Sequence, residues 1–226
     1  RLMQNKFIFS IIAVTLLGLF GCEAQETRKT IVSERVKSSQ QPYNGLRIDV
    51  AVGLFQNRSD YMRGLFSSNS DKLGNQSKTI LKTHLQQSNR FNVMDRQNLE
   101  GNAQEANRLN LKQKVKGARY VITGNVTEFG RKVTGQKMLF GILGSGKKQS
   151  AYAKVSLNIV DVLTSQIVHS TQGAGKYSLN SEEFIGFGSS AGYDATLNGK
   201  VLNLAIMEAV NNIVDDIQNG VWKGTK

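Results

Sequence analysis

The sequence predicts an α/β domain, with helices packed on a mixed sheet and two long β-hairpins attached to it. Three observations carry that expectation. Across residues 46–226, apolar runs with the two-residue period of strands alternate with runs at helical spacing. Two stretches, about 129–155 and 175–199, keep a strand period over lengths that ordinary sheet connections do not need. The last run, Lys200 to Gln218, sets Leu202, Ile206, Val210, Ile213, Val214 and Ile217 on one face, the stripe of a helix laid on a sheet.

Composition bounds the rest. A chain of 226 residues suits one domain of ordinary size. Lys and Arg number 29 against 17 Asp and Glu, a formal charge of +12, and without Arg1 and Lys6 the remainder keeps +10. Such a charge attracts an anionic partner, whether nucleic acid, a lipopolysaccharide or phospholipid surface, or an acidic client protein. Beyond residues 7–20 no run of about 18 apolar residues occurs, which excludes a multi-helix membrane protein. Cys22 is the sole cysteine, so neither an intramolecular disulfide nor a cysteine-cluster zinc site is available. His84 and His169, far apart in sequence, do not build a usual metal site by themselves.

In chain order, residues 1–21 read as a leader: a charged start at Lys6, an apolar stretch from Phe7 to Phe20, then Gly21 before Cys22. Leu19, Phe20, Gly21 and Cys22 resemble the lipobox of bacterial lipoproteins, in which the cysteine is acylated after cleavage. Residues 22–45, polar and holding the lone Pro42, read as a lipidated tether. The folded body, 46–226, opens with a strand in which Ile48, Val50, Val52 and Leu54 alternate with Arg47, Asp49, Ala51 and Gly53.

A long polar loop, Gln56 to Asn75, carries Tyr61, Met62, Leu65 and Phe66; loops of that length are usually functional. A helix then follows from the Asn75, Gln76, Ser77 start, with Ile80, Leu81, His84 and Leu85 on its face, and His84 reads as a core or boundary histidine. Phe91, Val93 and Asp95 form the next strand, and a polar helix spans Gln97 to Lys116, closed by Gly117. Strands follow at Arg119 to Phe129, Lys154 to Val162 and Ile167 to Thr171. The final helix ends at Gly220, beyond which Trp222 packs back on the domain.

Nucleotide chemistry finds no support in the glycine-rich segments. Gly141 to Lys148 comes within one residue of a phosphate-binding loop, but Lys148 stands where the magnesium-binding hydroxyl belongs, and a strand rather than a helix follows. Gly186, Gly188 and Gly192 have the wrong spacing for a dinucleotide fingerprint. No serine–histidine–acid set, paired-acid constellation or metal cluster emerges, so the expectation is a protein without enzymatic activity or cofactor.

The two inserts read differently. In the returning half of the first, Ala151, Ala153, Val155, Leu157 and Ile159 alternate with polar residues. In the second, Tyr177, Leu179, Ile185 and Phe187 go out and Ala191, Tyr193, Ala195 and Leu197 return. An apolar face opposite a polar one suits a hairpin between lipid and water, and about 27 residues accommodate two strands of about 11 with a tight tip. A soluble surface hairpin fits the same periodicity. Spanning requires a closed barrel from several copies, because open edges are unacceptable in lipid.

The segments Asp49 to Gln56, Gln76 to Gln97 with Arg90, Phe91, Met94, Asp95, Arg96 and Gln97, Val121 to Gly130, the tip Leu139, Phe140, Gly141, Ile142, Val155 to Val168, and Ile213 to Trp222 resemble the curli production assembly/transport family of CsgG-type outer-membrane lipoproteins. The resemblance implies one protomer of a ring, nine-fold in that family. Each protomer would place an α/β domain in the periplasm and lend two hairpins to a shared barrel. It also implies that the loop after Phe55 narrows the channel, with Tyr61, Phe66 and Asn69 as candidates in an order and spacing that differ from the family pattern. Glu23 rather than Asp follows Cys22, which by the same resemblance favours the outer membrane.

The function thus expected is an acylated, ATP-independent secretion channel for an unfolded fibre subunit or adhesin. Its partners would be copies of itself, outer-membrane lipid through Cys22, the client and periplasmic accessory factors, and the export leader argues against nucleic acid. The same fold family includes lipoproteins that do not span the membrane. These imply the alternative, a periplasmic lipoprotein docking on a cell-wall synthase, a polysaccharide exporter or a flagellar ring.

Overall fold

In a computed structural model of the chain, residues 33–61, 71–135, 147–179 and 195–225 are described. Arg1–Glu34 and Arg35–Lys226 form two units, and every described helix and strand belongs to the second. The leader, Cys22, Phe66, Asn69, the tip Leu139 to Ile142, the phosphate-loop look-alike up to Gly146 and most of the second insert, Glu182 and Glu183 among it, lie outside the described residues.

After a short 3-10 helix, Lys37–Gln40, the elements run β1 (Ile48–Asn57), α1 (Lys72–Gln87), β2 (Phe91–Met94), α2 (Leu99–Arg108), β3 (Tyr120–Gly135), β4 (Lys147–Asp161), β5 (Ile167–Leu179) and α3 (Ala195–Gln218). The five strands form one mixed sheet in the order β2-β1-β3-β4-β5. β1 pairs parallel with β2 and β3, each reached through a helical crossover, whereas β3–β4 and β4–β5 are antiparallel. α1 and α3 lie side by side on one face of the sheet, where their apolar stripes and the inward residues of the strands form one core.

Two register shifts change which residues face that core. β1 shifts against β3 between Val52 and Phe55. Leu54, expected inside by alternation, is therefore 62% exposed, and Phe55 turns inward to 5%. Its ring lies over Gly124, where a Cβ has no room. β3 shifts against β4 between Val126 and Glu128, so the core face passes from even positions such as Ile122 and Val126 to Phe129 and Arg131, opposite Ala153 and Ala151.

Several boundaries differ from the sequence expectation. α1 starts at Lys72 because Asp71, not the Asn75 region, caps it, accepting from the Gly74 N–H at 2.7 Å. α2 stops at Arg108 rather than running to Lys116. Asn110 takes a left-handed conformation (φ 57°), and the N–H groups of Asn110 and Leu111 donate to the carbonyls of Asn107 and Ala106, both at 2.9 Å. β3 and β5 run on to Gly135 and Leu179. Residues 195–199, expected at the end of a returning strand, are instead the first turn of α3, with Leu197 and Asn198 buried.

The apolar stripe Ala151, Ala153, Val155, Leu157 and Ile159, legible as a lipid-facing hairpin face, is fully inside the domain, and so is Leu179. α3 covers it. Gly173 and Gly175 on β5 let the helix backbone approach: a Cβ on Gly175 would lie 2.7 Å from Leu204 Cβ and 2.8 Å from the Ala205 nitrogen. The helix ends as the sequence indicates, at Gly220 (φ 73°), and Trp222 stacks against His169 and meets Tyr120 edge-on.

Candidate functional site

The ends of β1 and β5 and the outer parts of β3 and β4 point the same way, together with the start of α1. The candidate loop springs from this end. Its stems are tied by hydrogen bonds: the Asn57 N–H donates to Asp71 Oδ2 at 2.7 Å, while Asp71 Oδ1 caps α1. Asn57 in turn accepts from the Ser59 N–H and hydroxyl at 3.0 and 2.6 Å, and its Nδ2 donates to the Tyr61 carbonyl at 3.1 Å. The Arg58 N–H donates to the Val126 carbonyl at 2.9 Å, holding the stem against β3.

Tyr61, the member of the Tyr61, Phe66 and Asn69 set among the described residues, does not stand apart from the domain. Its ring packs on Phe129, with centroids 4.5 Å apart and planes tilted by 44°. The Arg131 guanidinium donates to the Tyr61 hydroxyl at 3.5 Å and to Gln149 Oε1 at 3.4 Å. The loop stem is thereby fastened to the base of the first insert. Phe129 was legible in the sequence as the end of a strand, but the partnership of Phe129 and Arg131 with Tyr61 was not, because it joins residues about 70 apart in the chain. In the described part of that insert the strands pair antiparallel, from Phe129 opposite Ala153 to Gly135 opposite Lys147.

The two histidines have structural partners. His84 is buried, and its Nε2–H donates to Asn203 Oδ1 at 2.7 Å, joining α1 to α3. Burial lowers its pKa, against a smaller upward pull from that hydrogen bond. His169 Nε2 sits 2.9 Å from Asp216 Oδ2. Among the described residues no group of three or more His, Cys, Asp or Glu side chains is placed to hold a metal ion. No described helix is long and apolar enough to cross a membrane.

At the opposite end, Arg119 grips Asp161 through Nε and Nη2 at 2.9 and 2.7 Å. The Leu163 and Thr164 N–H groups donate to the other Asp161 oxygen at 2.8 and 3.3 Å. Hydrogen bonding from Arg119, first of all, holds the Asp161 carboxyl below its ordinary pKa. The arrangement shapes the β4–β5 turn.

Comparisons with known proteins identify the family. The putative lipoprotein NMB1126/NMB1164 of Neisseria meningitidis serogroup B is 54% identical over 213 residues, covering 94% of this chain and 95% of that protein. Among solved structures, the hypothetical protein CT253 of Chlamydia trachomatis matches at 14% identity and TM-score 0.42, covering 77% of this chain and 97% of its own. A PelC dodecamer from Paraburkholderia phytofirmans matches at 17% identity and TM-score 0.33, covering 75% of this chain and 91% of its own. The model of the curli production assembly/transport component CsgG matches residues 32–226, essentially the whole folded unit, and the chain belongs to that family.

Proposed function

We propose that this chain is a lipid-anchored protein of the cell envelope whose α/β domain docks on a larger envelope assembly without spanning the membrane. One observation carries the reading: the apolar stripe of β4 and the inner face of β5 are consumed by packing against α3. A strand cannot offer the same face to its own helix and to lipid. The core-packed rows reach Arg131 opposite Ala151, which leaves the nineteen residues 132–150 outside them, and seventeen, 180–196, lie between buried Leu179 and Leu197. Two spanning strands need about 18 to 22 residues before any turn is counted, which the second insert does not supply and the first supplies only at the lower bound. The 54% identical relative is itself named a lipoprotein, which supports acylation at Cys22. Glu23 supports delivery to the outer membrane, with the domain in the periplasm.

A second reading, the ring-shaped secretion channel, is supported by the family's description as a curli assembly and transport component. The placement of Tyr61 beside the hairpin base also favours it. In that reading Tyr61, Phe66 and Asn69 line the constriction and an unfolded client diffuses through.

The two separate cleanly by experiment. Palmitate labelling of the full chain should be lost in Cys22→Ser. On the docking reading that variant is a soluble, folded protein, and the acylated protein gives no conductance in planar bilayers. Detergent-dependent rings with a transmembrane belt, and single-channel conductance, would establish the channel instead.

A further inference from the structure

The end of the domain remote from the loop and inserts has a different chemistry. There β1, β2, β3 and β5 begin, β4 ends and α3 terminates. Leu46 (70% exposed) precedes β1, Val115 precedes β3, Val162, Leu163 (73%) and Ile167 flank the β4–β5 turn, and Val221 follows α3, all of them exposed. Most of the exposed large apolar residues among the described ones lie at this end.

Beside Leu46 opens a cleft of about 450 Å³. Arg47, Lys116 and Arg119 line it against a single carboxylate, Asp49, and the tail residues Gly224 and Thr225 form one wall. Lys116 Nζ lies 2.7 Å from Asp49, and its side chain stays 65% exposed. The Arg47 guanidinium donates to a neutral partner, Asn89 Oδ1, at 3.3 Å. With Lys116 paired to Asp49 and Arg119 to Asp161, the lining keeps the positive charge of Arg47 in excess, beside Leu46 and Ile48. Tyr120 fixes the tail wall, its hydroxyl accepting from the Thr225 N–H at 3.0 Å.

We propose that this cleft docks an acidic segment of a partner protein that also carries apolar side chains, its carboxylates meeting Arg47 and Lys116 and its apolar residues meeting Leu46. This rests on the docking reading and names the surface it uses. Charge complementarity selects the occupant: a second copy of this strongly basic chain presents the wrong sign. A cleft walled by chain on several sides suits inserted side chains better than it suits a flat lipid surface.

The test uses the full-length acylated protein in detergent and a fluorescent octapeptide of alternating Glu and Leu. Saturable binding that weakens with added salt, is absent for the Lys/Leu counterpart, and drops about tenfold or more in the Leu46→Ser, Arg47→Glu double variant is expected. Both substituted residues are exposed, and an unchanged melting transition verifies the variant's fold. Equal binding by the double variant overturns the proposal. So does tighter binding to phosphatidylglycerol vesicles than to the peptide, or self-association abolished by the same substitutions. If the peptide fails to bind while the protein forms no conducting pore, the docking reading stands and this surface falls. Conductance in bilayers would remove the docking reading whatever the peptide does.

Discussion

The Asp71 carboxylate ties Asn57, the last residue of β1, to the first turn of α1. One oxygen takes the Asn57 N–H and the other the Gly74 N–H, so a single side chain both caps a helix and closes the mouth of the loop that starts after Asn57. Asp71→Ala should lower the unfolding free energy by about 1 kcal/mol, the ordinary cost of losing a cap. Hydrogen exchange should speed up at the Asn57 and Gly74 amides together, while amides of β4 keep their protection.

Gly173 leaves no space for a side chain, because a Cβ there would run into the Ala205 carbonyl and the Ala209 backbone of α3. Gly173→Val should therefore cost about 3 kcal/mol or prevent folding, since overpacking here pushes on helix backbone rather than on a pliable side chain. Urea denaturation reads the loss. Ala174→Ser, on the exposed side of the same strand, serves as the control and should leave the midpoint within error.

His84 makes stability depend on pH in a defined direction. Its imidazole is held below the ordinary value of 6.5 in the folded state, so the unfolded chain binds the proton more tightly. The associated stability is complete above about pH 6.5, declines as the pH falls through the lowered value, and levels off beneath it. Denaturation midpoints collected from neutral pH downward should show this decline in the wild type. His84→Gln, which keeps a donor for Asn203 but cannot titrate in this range, should show less of it.

Tyr61 is attached through its ring more than through its hydroxyl. Tyr61→Phe preserves the contact with Phe129 and loses a long hydrogen bond from Arg131, so its stability should stay within about 0.5 kcal/mol of wild type. Tyr61→Ala should cost about 1 kcal/mol more than that. Thermal melts of the two variants give the comparison, and bilayer recordings on the same pair show whether the ring has any role in conduction.

Where local chemistry sets structure, the sequence was informative. Gly220 ends α3, the alternation from Ala151 to Ile159 marks a strand, and His84 falls inside. What stayed hidden depends on neighbours in space. No periodicity reveals that β1 slips register after Val52 and sends Leu54 outward, because the extra residue is defined only against β3. An apolar stripe likewise does not say what will cover it. Lipid and a helix demand the same residue types, and the helix contact depends on glycines in β5 some twenty positions beyond the stripe's start. Tyr61 was legible as a loop aromatic, whereas its seat on Phe129 required the β3–β4 hairpin to exist first.

The ladder between β3 and β4 continues from Tyr120 opposite Asp161 to Gly135 opposite Lys147, interrupted by the one shift after Val126. The arm is therefore the same pair of strands that runs through the core, continuous with it on either side of that shift. A load applied beyond Gly135 is borne by backbone hydrogen bonds in shear and passes into the layer clamped under α3. An arm joined by a linker would swing and dissipate the pull; this one delivers it to the opposite end of the domain, where Asp161 and Arg119 sit.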